Sequence, residues 1–143
     1  MGADQIFQAS NMLALAGWAA LLASPLVPRL ADRVAALAIP LLLGVAYTGL
    51  VLAFWAGSQG GFDSLDNVAA LFQTRELLLA GWLHFLAFDL FVGAWIVREA
   101  RAAGVAFWMV VPCLALTFLF GPAGFLAYHA IRFAKRPPAP AAA

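Results

Sequence analysis

The sequence predicts an all-α membrane protein: four transmembrane helices in a compact bundle, with a short interfacial helix between spans two and three. Three observations predict it. The chain of 143 residues is 65% hydrophobic and only 10% charged, against roughly 25% charged residues in soluble domains. Its mean hydropathy is +0.93. Apolar runs recur four times, each near the 20 or so helical residues that a bilayer core requires. A formal net charge of +1 gives no reason to invoke nucleic acid. The single cysteine, Cys113, lies within an apolar run, so an intrachain disulfide is impossible.

The first span is expected over about 7–27, stopped by Pro25 and Pro28. Its amino end lacks the cationic region of a secretory signal. That predicts a retained anchor, by default in a bacterial cytoplasmic membrane. Arg29, Asp32 and Arg33 read as a polar turn before the second span, 34–56, which carries Pro40 in its first turns. In the long connection that follows, Asp63 is the expected cap of a short interfacial helix over 64–72. Thr74 is the expected cap of the third span, 77–97, with Glu76 in its first turn, where the helix dipole favours an anion. Arg98, Glu99 and Arg101 read as a loop. The fourth span, 105–131, is interrupted by Pro112 and by the Gly121-Pro122-Ala123-Gly124 cluster. Residues 1–136 then form one domain, and 137–143 a disordered tail. Four spans put both termini on one face and divide the basic residues evenly, so the positive-inside rule gives no orientation.

A Leu-Ala-Gly-Trp string occurs at 15–18 and again at 79–82, and each span that carries it precedes a span with an early proline, Pro40 or Pro112. That pattern suggests two related hairpins. Small residues at Ala16, Ala20 and Ser24 permit close helix contact and a homodimer.

The functional signal is concentrated in the third span, where His84 and Asp89 sit within an otherwise apolar run. Ionisable groups at hydrocarbon depth are costly and usually mark a site. Asn11, Tyr47, Thr48 and Thr117 fall at comparable depths when helices rise about 1.5 Å per residue. One half-buried polar chamber is the expectation, with Trp82, Phe88 and Gly121 in its wall. His84 and Asp89 are five positions apart, roughly 140° around a helix. That spacing excludes a simple shared face: one side chain can face the bundle centre and the other a neighbouring helix seam, and a dyad can form only through a bound ligand, water or a local distortion near Gly81 or Gly93. No metal site is expected, and no cofactor is identified by the pattern. His84, with His129 as a second ligand, leaves a haem or quinone redox protein as one alternative.

The strings LLAGWLHFLAFDLFVGAWIV (78–97), VPCLALTFLFGPAGFLAY (111–128) and SLDNVAALF (64–72) resemble the abscisic-acid-deficient-type membrane family, whose plant members are required for neoxanthin formation from violaxanthin. The resemblance covers nearly the whole chain. It departs at Ala94, where the family pattern carries a basic residue. What it implies is a carotenoid or other polyisoprenoid ligand drawn from membrane lipid, and isomerisation of an epoxide to an allenic alcohol. On that reading Asp89 is the acid at the epoxide oxygen and His84 the base at the adjacent polyene carbon. A non-catalytic pigment-binding or assembly subunit of a photosynthetic or carotenoid-synthesising complex is the other alternative.

Overall fold

In the computed structural model, residues 2–135 are described; Arg136 and the expected tail, 137–143, lie outside them. The described residues are helical, with no strand among them. Helix α1 (Ala3–Leu22) begins earlier than expected and ends before Pro25, which sits in the following turn. Pro28 does not stop a helix but starts one. It occupies the first turn of α2 (Pro28–Arg33), where a missing N–H costs nothing. The expected polar turn at 29–33 is therefore helical.

A π turn, Val34–Ala38, joins α2 to α3 (Ile39–Phe54). Pro40 explains its position. A proline ring clashes with the carbonyl four residues earlier and offers it no donor. The wider turn immediately before Pro40 absorbs that misfit without breaking the run. A short 3₁₀ turn, Trp55–Gly57, closes it.

Helix α4 (Leu65–Leu71) is capped by Ser64, whose Oγ accepts from the Asn67 backbone N–H at 3.1 Å. Asp63 is not the cap. Its carboxylate accepts instead from the Asn67 side-chain amide at 2.9 and 3.0 Å. Ser64→Ala is expected to cost about 1 kcal/mol locally. Hydrogen exchange at the amides of α4 should rise about fivefold, and unchanged exchange would remove the cap's role.

Thr74 stands at the N-cap of α5 (Arg75–Ala102) without a side-chain cap bond, and Glu76 lies in the first turn. The helix runs through Arg98, Glu99 and Arg101, so those residues are not a loop. It is the central element. Buried residues occur along its whole length, and α1, α3, α6 and α7 all pack on it. Small residues set the closest approaches. Gly17 leaves room for Leu90 and Ile39, and Gly93 is covered by the Trp18 ring. Ala80, Ala87 and Ala94 are buried on α5 itself, Ala94 fully. This is packing by backbone proximity rather than by bulk.

The segment expected as one fourth span is two helices, α6 (Phe107–Phe120) and α7 (Pro122–Ala134). They meet at Gly121, whose φ of 39° favours glycine. Cys113 and Gly124 would stand about 16 Å apart in a straight helix. Here a Cβ at Gly124 would collide with the Cys113 carbonyl oxygen and with Thr117. Helix α7 therefore folds back along α6. The suggested repeat ends here, because α3 has no such break and the equivalent glycines do different work: Gly81 accommodates Phe72 of the α4 connection.

Two helical runs, Pro28–Gly57 and Arg75–Ala102, are long and apolar enough to cross a membrane. Large apolar side chains such as Leu41, Val45 and Leu52 stand exposed along the first of them.

Candidate functional site

The hairpin tip defines the site. Gly121 terminates α6 and opens α7, and a Cβ placed on it would strike the Asp89 carboxyl group. Only a glycine lets the chain turn against that carboxyl. Asp89 is 8% exposed, and its Oδ2 is buried without a hydrogen-bond partner. An unpaired buried carboxyl is costly, so its retention calls for a ligand group or a function. The first turn of α7 begins beside it; Pro122 has no N–H and the Gly124 N–H donates to the Gly121 carbonyl at 3.1 Å, so what that turn offers is the positive end of the helix dipole. A buried carboxyl and the electropositive end of a helix thus converge at one place.

The stripe of α5 that carries Asp89 continues in apolar surface. Trp82 and Phe85 stack at 5.3 Å, and Phe85 stands one turn from Asp89. On the other side, Gly93 carries the Trp18 ring, which meets Phe118 edge-on at 5.5 Å. Trp18 and Phe118 belong to a cleft of about 430 Å³ between α1 and α6, whose lining includes Leu15, Ala19, Leu114 and Ala115. Trp18 stands between that cleft and Gly93, which lies about one helical turn along α5 from Asp89.

The single chamber expected from sequence is divided. His84 is exposed on the opposite side of α5, stacked on Phe88 at 4.6 Å and facing Tyr47 at 5.7 Å. It lines a second groove of about 270 Å³ with Tyr47, Val51, Trp55, Phe72 and Ala80. His84 and Asp89 therefore occupy separate seams, as their angular spacing on one regular helix requires. Asn11 belongs to a third contact: it accepts from Trp82 Nε1 at 3.0 Å and donates to the Phe7 carbonyl at 2.8 Å. Thr48 is exposed and bonded to the Gly44 carbonyl of its own helix at 2.8 Å. Thr117 is fully buried and donates to the Cys113 carbonyl at 2.7 Å, inside the hairpin where Gly124 packs. Phe88 is 58% exposed and goes with His84. Of the predicted residues, Gly121 meets Asp89 directly.

His129 stacks on Trp95 at 5.6 Å, eleven positions beyond His84 in register with α5. The two imidazoles do not converge on one haem site. Ser24 is buried, which removes it from the outward small-residue stripe.

Tyr128 was not anticipated. It is 1% exposed, its hydroxyl is buried without a partner, and Trp95 lies edge-on to it at 5.8 Å. The sequence signal was its position after the Gly-Pro-Ala-Gly break, four residues before Arg132. Only the fold-back of α7 turns it inward.

No curated protein and no solved structure matches the chain. A family model described as ABA DEFICIENT 4-like matches residues 5–128. The match takes in α1, the long α5, the glycine hairpin and Asp89, and on that extent the chain belongs to the ABA DEFICIENT 4-like family.

Proposed function

We propose that this chain is an integral membrane protein that binds a xanthophyll or related polyisoprenoid and isomerises its epoxide end group at Asp89. Family membership supports involvement in xanthophyll and neoxanthin formation. Helices α1, α2–α3 and α5 cross the bilayer on this reading, and α6–α7 supplies the fourth layer of the bundle. The bacterial cytoplasmic membrane is the proposed location.

The observation that carries the reading is the unpartnered Asp89 carboxyl at the hairpin tip. The α1–α6 cleft takes the polyene, and Asp89 takes the oxygen. Opening a 5,6-epoxide to an allenic alcohol needs one proton delivered to the epoxide oxygen as its C–O bond breaks. One proton leaves the neighbouring polyene carbon as the allene forms, so the step is neutral overall. With His84 in the other seam, Asp89 both gives the first proton and accepts the second through its two oxygens. The first turn of α7 stabilises the negative charge that develops on Asp89 as its proton leaves. His84, Phe88 and Tyr47 form a second apolar groove that guides the ligand from lipid.

Purified protein in phospholipid vesicles, incubated with an epoxy-xanthophyll, should yield an allenic product detectable by chromatography and mass. Binding without conversion would favour the pigment-binding or assembly reading, and neither binding nor conversion would remove both.

A further inference from the structure

The fold-back at Gly121 changes which residues share a face. One end of the helix set is marked by the Asp4–Arg75 ion pair, which joins the starts of α1 and α5. The other is marked by Asp32–Arg101 at 3.1 Å, which joins α2 to the end of α5. Ser24, Pro28, Val97, Val105 and Phe107 gather around one cavity at that second end, so α6 starts there. Helix α7 begins against Asp89 and packs Phe125, Tyr128 and His129 on Trp95, further along α5. It therefore runs in the direction of α5. Its 13 residues cover about 20 Å, the length of α5 that remains between Asp89 and Ala102. Helices α6 and α7 enter from one face and return to it.

That return gathers Arg29, Arg33, Arg98, Arg101, Arg132 and Lys135 on one face, with Asp32 and Glu99 as its acids. Among the described residues, the opposite face has Arg75 alone against Asp4, Asp63, Asp66 and Glu76. All six cations are exposed except Arg132, which is half-buried.

We infer that α6–α7 is a re-entrant hairpin and that its basic face is a docking surface for anionic phospholipid headgroups of the cytoplasmic leaflet. The charge complementarity is direct, because anionic cytoplasmic leaflets attract juxtamembrane arginine and lysine. The positive-inside rule, undecided for four spans, becomes one-sided for three spans and a hairpin. The termini of the described chain then lie on opposite sides.

The inference rests on the membrane reading above and fails separately from it. A chain that is not integral would leave the membrane on alkaline carbonate washing. Single cysteines at exposed Gln59, Ala102 and Ala134, in a Cys113→Ala full-length background, are labelled in spheroplasts with a membrane-impermeant maleimide. Gln59→Cys should label at least tenfold more than Ala102→Cys and Ala134→Cys, and the latter two should reach equal labelling only after permeabilisation. Labelling of Ala134→Cys together with Gln59→Cys would restore four spans and overturn the hairpin. Labelling of both Ala102→Cys and Ala134→Cys from outside would overturn the leaflet. For the headgroup, the detergent-purified full chain should retain phosphatidylglycerol over phosphatidylcholine at least fivefold by native mass spectrometry. The Arg29→Gln, Arg33→Gln, Arg98→Gln triple variant should lose that preference. Equal retention by both proteins would overturn the docking surface.

Discussion

Asp89→Asn is expected to cut epoxide conversion by at least about 100-fold while leaving the unfolding midpoint within a few degrees of wild type. Asparagine keeps the shape of the side chain against Gly121 but cannot give and recover a proton. Function separates from anchoring here because the buried Oδ2 of Asp89 has no hydrogen bond that the substitution would break. Were the carboxyl a structural anchor, its loss would register as reduced stability. A variant that retains conversion would remove Asp89 from the chemistry. His84→Ala tests the complementary point. With the imidazole exposed in the other seam, conversion should fall by less than tenfold, and the change should appear in apparent affinity rather than turnover.

The largest stability effect should come from a single methyl group. In Gly124→Ala, the new Cβ falls on the Cys113 carbonyl oxygen, the Thr117 amide nitrogen and the Thr117 hydroxyl. Two of these are backbone atoms that cannot rotate away, so the hairpin must open. The expected cost is about 3 kcal/mol, at the upper end for overpacking. Gly49→Ala is the control: it has nothing within 4 Å of its Cβ position, lies inside α3, and should be neutral or stabilising by up to about 1 kcal/mol. Denaturant unfolding in micelles reads both. Equal midpoints for the two variants would contradict a fold-back held by backbone contact.

The helical segments were legible in sequence because their signals are local. Apolar runs, prolines and glycines locate α4 to within one residue at each end and α1, α3 and α5 to within about five. Arg98 and Arg101 look like a loop in sequence because they are charged, whereas long basic side chains are comfortable on the last turn of a helix. Pro28 is ambiguous for a related reason, since the same ring that ends one helix begins the next. The hairpin was not legible. The Gly-Pro-Ala-Gly cluster announces a break, but its angle depends on Gly124 lying against Cys113 and Thr117, a contact no spacing rule predicts. The single chamber failed on the same ground. Depth along the normal can be counted from sequence, but the seam a side chain enters is set by which neighbour covers each face of α5. The 140° between His84 and Asp89 was the one warning, and the structure follows it.

Binding preference shows whether the carboxyl at the hairpin tip recognises an oxygenated end group. Tryptophan quenching by an epoxy-xanthophyll and by the parent hydrocarbon carotene, in wild type and Asp89→Asn, gives four affinities. The wild type should bind the epoxide at least tenfold more tightly than the hydrocarbon, and Asp89→Asn should bind the two alike. Equal affinities in the wild type, or a preference that survives in Asp89→Asn, would contradict a site built around Asp89.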